Sequence, residues 1–142
     1  MHICPSIEYV ERAYRHYKNA NNLIDFTDLL ELVLQEPERL PKLDVLIIDE
    51  SQDLSRLQWD LVRALCHRSE RAFLAGDDDQ AVYTWAGSDV RSFLDFQGEI
   101  TVLEKSYRVP AKVHALAGEI VKRIRQRQPK VWHPRDYDGQ IS

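Results

Sequence analysis

The sequence predicts an α/β fold: a parallel sheet flanked by helices. Three observations carry that expectation. Val45 to Ile48 is a short aliphatic run bounded by charge, as a strand buried in a parallel sheet would be. Ala72-Phe-Leu-Ala75 repeats the pattern. Each run then breaks off into a polar loop, Asp49-Glu-Ser-Gln-Asp53 after the first and Gly76-Asp-Asp-Asp-Gln80 after the second, and helical periodicity fills the interval between the runs.

The elements follow in order. Pro5 and Ser6 precede a helical pattern to about Asn19, with Ile7, Val10, Tyr14 and Tyr17 on one face. Asp25 is suited to cap a second helix that runs to about Gln35, and Pro37 and Pro41 lead from it into a strand over 44–49. Ser55 and Gln58 have the S-x-x-Q spacing of a capping box, which opens a helix over 55–67 with Leu57, Leu61, Val62 and Leu65 inward. A second strand covers 72–75, a short helix 88–95 and a third strand Ile100 to Leu103. Pro110 fits the first turn of a last helix whose apolar stripe is Val113, Leu116, Ala117, Ile120, Val121 and Ile124. After Pro129 the periodicity stops, and that segment is expected to fray or to await a partner. Three strands are few for a sheet that wants helices on both faces, so the chain reads as a portion of a larger doubly wound domain.

Composition narrows the class. The 142 residues suffice for one domain with a modest core, and 30% of them are charged. No apolar stretch approaches a membrane span, and the N-terminus lacks the order of a signal peptide, so a cytoplasmic protein is expected. Cys4 and Cys66 have no metal-type spacing and read as free thiols, Cys66 as packing. The net charge of −4 hides an asymmetry: residues 105–142 hold nine Lys/Arg against three Asp/Glu. Such a basic end can attract nucleic acid or can be a solvated helix face.

Asp49, Glu50 and Asp53 fall at or just past the carboxyl end of a strand, where ligands bind in open α/β sheets. Two adjacent carboxylates there suit nucleotide hydrolysis, one holding magnesium and the other activating the attacking water. The alternative is that they merely cap the following helix, and Asp53, next to the Ser55 box, is open to that reading.

Four segments resemble, in this order, the superfamily 1 DNA helicases of the UvrD/Rep/PcrA type. Leu23-Ile-Asp-Phe-Thr-Asp-Leu-Leu30 is similar to the family's segment ahead of its second Walker motif. Ile48-Asp-Glu-Ser-Gln-Asp53 resembles Walker B in its D-E-x-Q-D form. Ala75 through Gly87, with G-D-x-x-Q-x-x-Y-x-W inside it, resembles motif III, and Leu103-Glu-Lys-Ser-Tyr-Arg108 resembles motif IV. The resemblance spans about residues 7–125.

It implies a partial RecA-like sheet of the P-loop NTPase type, ATP and Mg2+ as cofactors, and single-stranded DNA as partner. Asp49 would hold the metal, Glu50 would be the general base and Gln80 would sense the γ-phosphate. Tyr107 would stack on adenine, and Arg108 would act as an arginine finger. Trp85 would be a stacking platform for DNA bases, with Tyr83 as its support or as a packing residue.

Two departures accompany the resemblance. Ala86 stands where the family commonly has arginine, and no G-x-x-x-x-G-K-[S/T] occurs in the sequence. Residues 1–108 therefore read as the C-terminal part of a first RecA-like domain, and 109–142 as the start of the second motor domain. The parent would be an ATP-dependent 3′-to-5′ DNA helicase of the DNA-repair type. The isolated chain would be inactive on ATP until it met the portion bearing the Walker A loop. Two rivals stand beside this reading: a non-catalytic helicase remnant that binds DNA or protein, and a metal-dependent nuclease using Asp49, Glu50 and Asp53.

Overall fold

In the computed structural model, which describes residues 5–141, two parallel strands organise the chain. Strand β1 (Leu43–Ile48) pairs in register with β2 (Ser69–Leu74), Leu43 opposite Ser69 and Ile48 opposite Leu74. Helices α1 (Pro5–Asn21) and α2 (Phe26–Gln35) precede them, and α3 (Arg56–Cys66) joins them. Helices α4 (Val90–Leu94) and α5 (Ala111–Val121) follow. This is an α/β arrangement with a small parallel sheet flanked by helices, as a partial RecA-like fold requires.

Local chemistry sets the helix starts. Asp25 caps α2 through the Asp28 N–H, and Asp28 returns the bond to the Asp25 N–H at 2.8 Å. The Ser55–Gln58 capping box forms as the spacing predicts. The last helix begins one residue later than expected, with Pro110 at the N-cap in an extended conformation.

The core is small and lies beside the sheet: Leu46, Trp59, Val62 and Val90. Trp59, on the inward face of α3, is 0% exposed. Phe93 and Phe96 close over it at ring-centroid distances of 6.5 and 5.8 Å. The opposite face of the sheet is open, where Ile47 and its partner Phe73 are both exposed. The apolar face of α1 is likewise uncovered, with Ile7, Val10, Tyr14 and Tyr17 exposed. The buried Lys18 ties α1 to α2, donating to Asp25 at 2.9 Å and to Asp28 at 2.6 Å.

Two expectations are corrected. Ile100 to Leu103 is not a strand, because no neighbouring strand pairs with it; Ile100 and Leu103 stay exposed. The segment after Pro129 does not fray. Its 133–138 stretch runs beside 104–112, with His133 N–H donating to Glu104 O at 2.6 Å and Ser106 N–H to His133 O at 2.8 Å. Further along, Ala111 N–H donates to Tyr137 O at 2.9 Å. The Trp132 ring meets His114 of α5 edge-on, 4.2 Å between centroids. Cys66 is a free, partly buried thiol whose pKa burial pushes up; Cys4 lies outside the described residues.

Candidate functional site

The two polar loops leave the sheet side by side because β1 and β2 are parallel and end at the same level. The ladder continues past the strand ends, with Ala75 N–H donating to Ile48 O at 2.8 Å and Ser51 N–H donating to Ala75 O at 2.9 Å. Asp49 and Glu50 therefore stand beside Gly76 and Asp77.

Glu50 occupies the left-handed region, φ +51°, a conformation that costs a non-glycine residue about 1–2 kcal/mol. Its backbone N–H donates to Asp49 Oδ1 at 2.8 Å. The turn it begins, Ser51–Asp53, buries Ser51 and Gln52 completely or nearly so.

Gln52, 1% exposed, bridges the loops. Its Nε2 donates to Glu50 Oε2 at 2.7 Å, and its Oε1 accepts from the Asp77 N–H at 3.0 Å. Gly76 makes the approach possible: a Cβ there would lie 2.6 Å from Gln52 Oε1 and 3.0 Å from the Phe93 ring. Gln52 was visible in the D-E-x-Q-D pattern but was given no role by sequence reasoning; the signal for it was the small residue that opens the second loop.

The second loop is built differently. Asp77 caps the Asp78–Gln80 turn, and Gln80 Nε2 donates to Asp77 Oδ2 at 2.6 Å. Lys130 donates to Asp77 Oδ1 at 2.7 Å and also to the buried Asp78. Arg127 grips both oxygens of Asp79 at 2.8 and 2.9 Å, and the Gln128 N–H donates to Asp78 Oδ2 at 2.7 Å. Burial opposes the charge of Lys130, yet its bonds to Asp77 and Asp78 outweigh that and raise its pKa. Burial likewise works against the Asp77 carboxylate, but the bonds from Lys130 and Gln80 prevail and hold it below its ordinary range. The bond to Asp79 raises the Arg127 pKa. Arg127 and Lys130, two of the nine cations in the basic end, are thus spent on this loop.

Among the described residues, no ion pair engages Asp49, Glu50 or Asp53. Nor do three His, Cys, Asp or Glu side chains gather as a metal site among them. That arrangement disfavours a nuclease, which needs its carboxylates assembled. It fits magnesium bound to a nucleotide, which takes one or two carboxylates and completes its shell with phosphate and water. Asp49 stands at that edge with its Oδ1 accepting from the Glu50 N–H.

The remaining candidates stand apart from the two loops. Trp85, in the 84–86 turn, is 82% exposed, with Tyr83 half exposed at 6.5 Å between centroids. Neither is core. Tyr107 is exposed with Lys105 over its ring at 5.8 Å. The Arg108 side chain makes no hydrogen bond among the described residues; its backbone N–H donates to Ser106 Oγ at 3.3 Å. The structure brings Asp49, Glu50 and the Gln80 loop to the same end of the sheet; among the described residues, no side-chain hydrogen bond joins Tyr83, Trp85, Tyr107 or Arg108 to them.

The family model for the UvrD/REP helicase N-terminal domain matches residues 5–101. The chain belongs to the UvrD/REP helicase family. Among curated relatives, the ATP-dependent DNA helicase PcrA of Bacillus subtilis (strain 168) is 30% identical, over 95% of this chain and 21% of its own length. PcrA of Staphylococcus epidermidis (strain RP62A) and PcrA of Staphylococcus aureus (strain Mu50) are each 29% identical, over 85% of this chain and 18% of their own lengths. This UvrD/REP chain therefore spans about a fifth of the length of the relatives it matches. No helix among its described residues is long and apolar enough to cross a membrane.

Proposed function

We propose that this chain carries the water-activating half of the ATPase site of a 3′-to-5′ DNA helicase, cytoplasmic and of the DNA-repair type. The observation that carries the reading is the Gln52 bridge, which fixes Glu50 against the loop that bears Gln80. In this reading, residues 1–108 are the C-terminal part of the first RecA-like domain, and 109–142 begin the second.

Each role follows from chemistry. Asp49 would hold Mg2+, which supplies charge neutralisation at the phosphates. Glu50 would accept a proton from the attacking water; among the described residues it has no cation partner that would compete for the carboxylate. Gln80 can donate its amide to a γ-phosphate oxygen or accept from water. Arg108 would approach that phosphate as an arginine finger across the two motor domains, and Tyr107 would stack on adenine. The exposed Trp85 ring, with Tyr83 beside it, would stack on bases of single-stranded DNA.

The missing part is the phosphate cradle, since no Walker A sequence occurs in the chain. The bare sheet face at Ile47 and Phe73 supports a companion segment there, because parallel sheets are covered on both faces.

The test is complementation. The chain alone should hydrolyse no ATP. Addition of a Walker A-bearing helicase fragment, with single-stranded DNA and magnesium, should restore turnover of about 1 s⁻¹ or more. Glu50→Gln should then abolish hydrolysis while nucleotide binding persists. Equal loss of binding and turnover would make Glu50 structural and overturn the assignment.

A further inference from the structure

The basic segment after α5 does more than neutralise an acidic loop. Asp77 joins the basic segment to Gln80 and Gln52, and the Asp79 N–H also donates to Asp77 Oδ1 at 3.2 Å. One carboxylate oxygen accepts from Lys130 at 2.7 Å, the other accepts from Gln80 Nε2 at 2.6 Å, and its backbone N–H donates to Gln52 at 3.0 Å. Gln52 passes the connection to Glu50. A continuous hydrogen-bonded path therefore runs from residue 130 to both Gln80 and Glu50.

We propose that Lys130 is a positioning residue for Gln80, acting through Asp77. Its role toward a phosphate rests on the site reading above, but the linkage itself does not. A carboxylate held by an ammonium on one oxygen has its other oxygen fixed in direction, and a glutamine amide bound there loses its rotational freedom. Lys130 lies in the portion assigned to the second motor domain, whereas Gln80 lies in the first. Displacement of the 127–130 segment would free the Gln80 amide to turn from Asp77 to a phosphate. Seating of the segment would return it to Asp77. The groups that face Asp77 are Lys130, Arg127, the Asp78 and Asp79 carboxylates, and the Gln80 amide.

Arg127 supplies an internal control, because it pairs with Asp79 and makes no bond to Asp77. The experiment is side-chain amide NMR of Gln80 in the full chain without nucleotide, with the Trp59 indole signal as the fold monitor. In Lys130→Met, Gln80 amide exchange should rise about tenfold, the release of one net hydrogen bond. Lys130→Arg should restore the slow exchange, and Arg127→Met should leave it within about twofold, since it releases no bond to Asp77. An unchanged Gln80 in Lys130→Met, or an equal change in Arg127→Met, overturns the proposal.

If Lys130→Met does not fold, the unaltered chain decides. On acidification the Lys130 Nζ and Gln80 Nε2 signals must move with one shared midpoint. Separate midpoints overturn the linkage. Both measurements omit nucleotide, so failure here leaves the ATPase reading standing. Failure of complementation, in turn, leaves the linkage standing.

Discussion

The loop after β1 and the loop after β2 each carry three acidic residues, yet they meet opposite fates. Asp77, Asp78 and Asp79 are bound by Lys130 and Arg127 from the far end of the chain. Among the described residues, Asp49 and Glu50 meet no cation and are held by amides instead: the Glu50 backbone N–H on Asp49 and the Gln52 side chain on Glu50. A carboxylate neutralised by a partly buried lysine is poorly placed to take a proton or a metal. One fixed by neutral donors keeps its charge available. The comparison separates acids bound by cations from acids bound by neutral amides, and adjacency in sequence could not make that separation.

The largest effect should come from acid, and it should strike the second loop first. The Asp77 pKa is lowered in the folded chain, so its contribution is present above the unfolded pKa and is lost as pH falls through the folded value. Below the ordinary carboxylate range, the 127–130 segment should detach. Hydrogen exchange at the Gln128 N–H, which is bonded to Asp78, reports this directly. It should lose protection at a higher pH than the Ser51 N–H, which is bonded to backbone. Simultaneous loss at both amides would erase the distinction between the loops.

A smaller effect should appear at Glu50. Its left-handed backbone costs about 1–2 kcal/mol, which glycine would recover, less the bond to Gln52. Glu50→Gly should leave stability unchanged or raise it by up to about 1 kcal/mol, as urea denaturation would read. A clear loss would mean that the carboxylate is held for the fold.

Much of this was legible in the sequence where the physics is local. The Ser55–Gln58 box and the Asp25 cap depend on neighbours within a few residues, and the first two aliphatic runs needed only each other across one crossover; all formed. The carboxyl-end placement of Asp49 and of the Gln80 loop followed from two aliphatic runs and one crossover. What stayed illegible depends on distant pairs. Gln52 meets a backbone amide 25 residues away, and Lys130 meets carboxylates more than 50 away. Ile100 to Leu103 has strand-forming residues, but a strand needs a partner, and the 133–138 backbone pairs with 104–112 instead. The basic end suggested nucleic acid, yet part of its charge is spent on Asp77 to Asp79, a pairing that composition cannot reveal. On α3 the fully buried side chain is Trp59 rather than the leucines of the apolar stripe, and Phe93 of α4 stacks on it.

The thermal midpoints of Glu50→Gln and Asp78→Asn, measured side by side in the full chain, test the central contrast most directly. Asp78 is buried and accepts from both Lys130 and the Gln128 N–H, so its loss should cost about 1–3 kcal/mol and lower the midpoint by several degrees. Glutamine at position 50 can still accept from Gln52, so Glu50→Gln should melt with the unaltered chain. A Glu50→Gln variant that fell as far as Asp78→Asn would show that the first loop's acids hold the fold as the second loop's do, and the assignment of Glu50 to chemistry would be lost.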